Sequence, residues 1–303
     1  MSGYAHPRYA QSLREFGRPR ELPRCAGWVL ERQVPGADAR DTRDAMGCYP
    51  LFACQDWGRL AEDLEALRGE LLTLSLVADP FGAYERADLE RCFDYVAPFK
   101  HHFIIELAQP AERTVSRHHR YYARKASQRV SVDVCADPRQ FIDDWLRLYG
   151  MLTERHGIDG IKAFSAVAFR EQLAVPGIVA LRAVADGEVV GGHLWYVQGD
   201  VAYSHLAASS PRGYDLDASY ALYWYALHHF RGIVRWLNLG AGAGLDPQGD
   251  DGLTRFKRGW SSDTRLAFFC GRIFDRSRYQ EVVRMRGGPA TSYFPAYRWG
   301  EFA

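Results

Sequence analysis

The chain has 303 residues, 47% hydrophobic and 25% charged, with a formal net charge of +1. These proportions exclude a disordered chain, and the near-zero charge excludes a polybasic nucleic-acid coat or an acidic tail. No stretch approaches the ~20 apolar residues of a membrane span, and the N-terminus lacks a signal core, so a cytoplasmic protein is expected. The length allows two domains. Six scattered cysteines form no C-x-x-C pair, which points to buried reduced thiols and to no metal site.

Residues 1–24 carry seven charged side chains and three prolines and read as an irregular arm. A strand is predicted over Gly27–Val34, a loop over Pro35–Asp44, and a second apolar run over Gly47–Cys54. Asp56 is the N-cap of a helix reaching Arg68, with Trp57, Leu60, Leu64 and Leu67 at helical spacing. Leu71–Val77 reads as a strand, Ala87–Tyr95 as a helix and His102–Leu107 as a strand. Strands mixed with two helices suggest a small α/β domain over residues 25–111.

Between Arg113 and Arg129 stand six Arg/Lys and no acid, so the rest of the chain is net −5. If Ser116 or Thr114 caps a helix here, Arg117, Arg120, Tyr121, Arg124 and Gln128 share one face, with Lys125 beside it. Such a run is often only a solvated face. Its concentration, with Tyr121-Tyr122 interleaved, suits an anionic ligand, either phosphates or a tRNA backbone.

Val130–Cys135 is a strand, and Asp137-Pro138 opens a helix reaching His156, with Phe141, Trp145, Leu148 and Leu152 inward. Ser165 starts another helix through Leu173, stopped by Pro176-Gly177. Three strands follow, Ile178–Ala185, Glu188–Val197 and Val201–Ala208, separated by the hairpin dipeptides Asp186-Gly187 and Gly199-Asp200. A three-residue second loop would set His193 directly opposite His205, and a two-residue loop would offset them by one. Leu216–Phe230 is apolar all round and reads as a buried packing helix. The short strand Arg235–Gly240, the loop Ala241–Asp250 and the helix Asp251–Trp260 complete this core. Thr264–Ile273 is a strand, Asp275–Arg286 a helix, and the aromatic tail from Tyr293 is expected to dock on the body.

From Val130 the order is strand, helix, helix, three strands, helix, strand, helix, strand. With four stretches it resembles the GNAT acyltransferase fold over about residues 112–285, and within it the FemAB-like group, which couples two GNAT-type domains. The stretches are Ser116–Lys125, the Asp186–Gly192 hairpin, Leu237–Gly244 and Gly252–Trp260. The resemblance implies a mixed-sheet α/β (α+β) protein with a degenerate GNAT-like domain over 25–111 and a complete one over 112–303. It further implies an N-acyltransferase that moves an aminoacyl group from aminoacyl-tRNA, or an acyl group from acyl-CoA or a carrier, onto an amine acceptor. That acceptor would be a small molecule or a cell-envelope precursor, and no tightly bound cofactor is expected. A non-catalytic tRNA- or anion-binding module on the same fold is the alternative.

GNAT enzymes hold the coenzyme A pyrophosphate on backbone amides in the pattern R/Q-x-x-G-x-G/A. The equivalent stretch here is Arg212–Ala218, where Asp215 and Asp217 replace the small residues. Two carboxylates would repel a pyrophosphate at a helix N-terminus, which turns the expectation toward aminoacyl-tRNA. Lys257 matches the lysine of the FemAB-like Phe-Lys-x-Gly motif, beside Phe256, and is the candidate to stabilise the oxyanion. His193, His205, Asp251 and Tyr203 are candidates for proton transfer. Gly240, Gly242 and Gly244 lack the long helix and later acid of a dinucleotide fingerprint. They are expected instead to let the chain splay from a neighbouring strand and open an acyl cleft.

Overall fold

The computed structural model describes residues 1–36, 42–243, 251–261, 263–287 and 291–301. The chain forms two compact units, a central one (Met1–Gly3 and Lys100–Arg265) and a flanking one (Tyr4–Phe99 and Leu266–Ala303).

In chain order the elements begin with α1 (Pro7–Ser12), β1 (Arg18–Leu22), β2 (Gly27–Gln33), β3 (Arg43–Gly47) and α2 (Leu60–Ala66). Next come β4 (Thr73–Val77), α3 (Arg86–Cys92) and β5 (Tyr95–Glu106). The central unit continues with α4 (Ala111–Thr114), α5 (Arg117–Ser127), β6 (Ser131–Val134), α6 (Ile142–His156) and α7 (Ala166–Gln172). After these come β7 (Ile178–Ala185), β8 (Glu188–Gln198), β9 (Val201–Ser209), α8 (Pro211–Asp215), α9 (Ala218–His229), β10 (Trp236–Asn238) and α10 (Gly252–Trp260). The chain closes with β11 (Asp263–Ile273) and α11 (Arg276–Arg286).

The central sheet runs β5-β10-β9-β8-β7-β6. All its neighbours are antiparallel except β10 and β9, which run parallel. The flanking sheet runs β1-β2-β3-β4-β11. It repeats the pattern in shorter form, with antiparallel strands, one parallel pair (β3 with β4) and a final antiparallel strand. The fold is a mixed α/β one with two such units.

The central unit begins ahead of the expected boundary at residue 112, and the flanking unit takes its last strand from the far end of the chain. Residues 104–106 of β5 complete the central sheet beside β10, and residues 269–273 of β11 complete the flanking sheet beside β4. The expected boundaries therefore change, since 266–303 belong to the flanking unit. Local pattern reading cannot see this, because the partner strand lies far away in sequence. Residues 1–24 are not irregular either: Pro7 opens α1 at its first position, and Arg18–Leu22 pairs with Gly27–Glu31.

Other corrections are local. Only Gly47 of the expected run Gly47–Cys54 is in a strand, because Arg43–Gly47 pairs instead and Phe52 makes a lone bridge to Ala78. The helix expected over Ala87–Tyr95 stops at Cys92, and β5 starts at Tyr95. The expected helix Leu216–Phe230 is preceded by a separate turn, α8, broken at Asp217, whose φ of 60° is left-handed. The second hairpin has the two-residue loop, with Gln198 opposite Val201, and then a bulge shifts the register so that His193 faces Ala207.

The central core lies between α5, α9 and one sheet face, where Ala123, Ala126, Ala221, Leu222 and Ala226 meet Leu181, Ala183, Trp195 and Leu237. Helix α9 thus buries most of its circumference, as its uniform hydrophobicity requires. All six cysteines are buried free thiols. Among the described residues no helix is long and apolar enough to cross a membrane.

The aromatic tail does dock, within the flanking unit. Arg298 donates from Nε and Nη2 to the two Asp44 oxygens at 2.6 and 2.8 Å, and from Nη2 to the Gln33 carbonyl at 2.6 Å. Tyr297 adds its hydroxyl to Asp44 at 2.9 Å. Asp44 is wholly buried. Removing one member of a buried pair strands the other charge, so Arg298→Met is expected to cost about 3–5 kcal/mol in urea unfolding. Glu301→Gln, which removes a half-exposed carboxylate from Arg32 at 2.6 Å and Arg298 at 3.3 Å, is expected to cost less than Arg298→Met because Asp44 keeps its partner.

Candidate active site at the end of strand β10

Strand β10 pairs with β9 only through Trp236↔Val201, Leu237↔Ala202 and Asn238↔Tyr203. Beyond Asn238 the chain stays with β5, since Leu239 N–H donates to Phe103 O at 2.8 Å and Phe103 N–H to Gly240 O at 3.1 Å. It leaves β9, whose residues 204–209 continue without a ladder partner on that side among the described residues. The two parallel strands therefore splay apart. Gly240 makes the departure possible with a φ of 73°. Gly242 allows close approach, because a Cβ there would stand 2.0 Å from Thr254 Oγ1. The third glycine of the motif, Gly244, lies outside the described residues, as does most of the loop expected over Ala241–Asp250.

Helix α10 brings Lys257 to this point. Its motif residues hold it in place: Phe256 and Trp260 pack with Tyr220, Tyr223 and His119. His119 Nε2–H donates to the Phe256 carbonyl at 2.9 Å, while its Nδ1 accepts from the Ser116 hydroxyl at 3.0 Å. Gly259 is dictated by this packing, since a Cβ would stand 1.9 Å from the His119 ring. The Phe-Lys-x-Gly pattern thus docks α10 on α5 and α9 and turns Lys257 the other way.

Lys257 is buried, 7% exposed, and donates from Nζ to the Ala241 carbonyl at 2.6 Å. Burial and the nearby Lys100, partly offset by Asp251, push its pKa down to about 7. Lys100 itself donates to the Gly242 carbonyl at 3.0 Å. Asp251 is the N-cap of α10: its oxygens accept from Leu253 N, Thr254 N, Thr254 Oγ1 and Ala243 N. Burial works to raise its pKa, but those hydrogen bonds outweigh burial and hold the carboxyl below its ordinary value. Its capacity is spent on capping and on fastening the strand end.

The two expected histidines do not meet. The bulge reverses the alternation of side chains, so His193 turns toward α9 and His205 toward α7. His193 is fully buried among Trp195 and Tyr223, bonds Ser204 Oγ at 2.8 Å, and is driven to about 3 by burial and by Lys257. His205 packs on Tyr196 and Phe164 and meets Gln172 Oε1 at 3.2 Å. Tyr203 is 3% exposed beside Asn238.

Two residues the sequence reading passed over complete the cluster. His102 on β5 is buried, and its Nδ1 lies 3.1 Å from Asn238 Oδ1, which also accepts the Gly240 N–H at 2.8 Å. Burial, with added repulsion from Lys257 and Lys100, outweighs the Asn238 bond and lowers His102 to about 4. Nothing local in the sequence marks His102, because β5 joins this sheet from the earlier half of the chain.

Ser116 caps α5, accepting from His119 N–H at 3.2 Å. Arg117, Tyr121, Arg124 and Lys125 are exposed and Arg120 half-buried. Lys125 reaches Asp217 at 3.3 Å, while Arg117, Arg120 and Arg124 have no acidic partner among the described residues. Arg212, by contrast, is committed to Asp186 and to Glu188, the latter at 3.4 Å. Gly213 packs tightly under Val190 and gives its N–H to Ser210 Oγ at 3.1 Å. The stretch aligned with the pyrophosphate pattern is therefore largely occupied by the protein itself.

Residues 112–258 match the family model described as an acetyltransferase (GNAT) domain. Among solved structures, FemX is similar over 90% of this chain and 92% of its own, with a TM-score of 0.63 and 15% identity. The C-terminal domain of a putative lysylphosphatidylglycerol synthetase from Agrobacterium fabrum gives 0.60 at 11% identity, over 92% of this chain and 89% of that one. L-PGS from Bacillus licheniformis gives 0.55 at 14% identity, over 94% and 97%. No curated protein matches the sequence. At these identities the structural likeness shows the fold.

The buried lysine has a consequence for stability. Folded Lys257 loses its proton near pH 7, whereas the unfolded residue holds it to about 10.5. Between these values the unfolded chain binds more protons, so stability from this group rises with pH, by up to about 5 kcal/mol across the window. Lys257→Met removes that dependence. Urea unfolding at pH 7 and pH 10 is expected to show the wild type gaining on the variant as pH rises.

Proposed function

We propose that the protein, whose residues 112–258 match the model of an acetyltransferase (GNAT) domain, is an N-acyltransferase that forms an amide at the splay between β9 and β10. The observation that carries this reading is the buried Lys257 held beside the separating strand ends. The acceptor amine attacks the donor carbonyl in the splay, and the Lys257 ammonium hydrogen-bonds the oxyanion that forms. A charged donor in a low-dielectric site stabilises such an oxyanion far more than it would in water.

The donor we favour is aminoacyl-tRNA. Arg117, Arg120 and Arg124 stand on one helix without acidic partners among the described residues, with exposed Tyr121 beside them for base stacking. The stretch aligned with the pyrophosphate pattern is occupied by its own contacts, and Asp217 places a carboxylate at the start of α9. One of the similar structures is named for a putative lysylphosphatidylglycerol synthetase, which supports an aminoacyl group as the moiety moved. An amine on a cell-envelope precursor or small metabolite is the acceptor class that suits this reading. An acyl-CoA donor is the second reading. It is favoured by the family model's description and by α9 lacking a side-chain cap, which leaves its first turn suited to an anion.

Parallel incubation with labelled aminoacyl-tRNA and acetyl-CoA separates the two donors. In the tRNA reading, binding weakens steeply with salt, and neutralising Arg117, Arg120 and Arg124 together makes the log–log slope shallower by about 2–3. Salt-independent binding, with label moved only from acetyl-CoA, would reverse the choice of donor.

A further inference from the structure

The transfer needs a group to receive the amine proton, and four candidates are poorly placed for it. His193 is fully buried under α9. His205 lies toward α7 against Gln172. The oxygens of Asp251 cap α10, and Tyr203 is buried.

His102 is placed differently. By register, His102 and Asn238 stand on the same sheet face at the point where β10 leaves β9. The Asn238 amide cannot be flipped, because its Oδ1 accepts the Gly240 N–H, a group that only donates. His102 must therefore give its Nδ1 proton to Oδ1, leaving Nε2 as the unprotonated nitrogen. That nitrogen has no hydrogen-bond partner among the described residues. Asn238 Nδ2 is sealed and unpaired. The same Gly240 that bonds Asn238 also lies against Lys257, since a Cβ on it would stand 3.2 Å from Nζ.

We propose that His102 is the general base of the transfer, its Nε2 receiving the proton of the acceptor amine while Asn238 fixes its tautomer. The inference rests on the acyl-transfer reading above. The amine nitrogen bonds to the donor carbonyl carbon, and the oxyanion forms against Lys257. The nitrogen gives its proton to His102 Nε2, the bond from carbon to the leaving oxygen or sulfur breaks, and the same proton passes to that leaving atom. Burial keeps the imidazole neutral at physiological pH, so the lone pair is available throughout. The positive charge on Lys257 opposes protonation of His102 until the oxyanion neutralises it. Proton affinity therefore rises at the step that needs it.

Two measurements test this on the full chain. In histidine-labelled protein, long-range nitrogen–proton correlation spectra should show His102 in the Nδ1–H tautomer down to about pH 5, and Asn238→Leu should lose that preference. An Nε2–H tautomer in the wild type overturns the proposal without reference to activity. With aminoacyl-tRNA or acetyl-CoA as donor and glycinamide as amine probe, His102→Asn keeps a donor toward Asn238 but lacks the base. Its kcat should fall about 100-fold with donor affinity unchanged. Wild-type turnover in His102→Asn overturns the role of His102 alone. Wild-type protein that forms no amide from either donor overturns the transfer reading on which it rests.

Discussion

The site depends on a single backbone event, the parting of two parallel strands after Asn238. A sheet is stable where its N–H and C=O groups are paired, so strands separate only where another partner takes over. Here β5 supplies that partner: it holds Leu239 and Gly240 by backbone hydrogen bonds while β9 runs on. The Gly240 N–H is meanwhile tied to Asn238 Oδ1. The opening is thus a consequence of satisfied hydrogen bonds on one side and their absence on the other.

Into that opening the fold directs a positive charge. Burying an ammonium is unfavourable, and the depressed pKa of Lys257 is the thermodynamic trace of that burden. The position persists because α10 is over-determined from its other side. Phe256, Gly259 and Trp260 dock against His119, Tyr220 and Tyr223, and Asp251 starts the helix while fastening Ala243. The stability of a packed aromatic cluster is used to hold one charge where water is scarce. The basic face of α5 belongs to the same arrangement, since His119, which receives α10, lies on the helix that displays Arg117, Arg120 and Arg124.

Much of this was legible in the sequence where the signal is local. Ser116, one of the two residues expected to cap α5, does so, the dipeptides Asp186-Gly187 and Gly199-Asp200 turn the hairpins, and the Gly240 strand end splays as anticipated. The motif around Lys257 could be read because its residues are contiguous. What escaped was non-local. The exchange of β5 and β11 between sequence halves moved the domain limits, and it brought His102 to Asn238 across 136 residues. The bulge at His205 escaped as well, because one inserted residue inverts facing without changing composition. The short strand β1 was hidden by charges that pair across strands, such as Arg20 with Glu31.

The central claim is that Lys257 is the charge on which acyl transfer turns. Its most direct test is the single-turnover rate of Lys257→Ala at saturating donor. The account predicts a rate lower by about 10²–10³-fold with donor affinity retained. A rate equal to that of the wild type would contradict it.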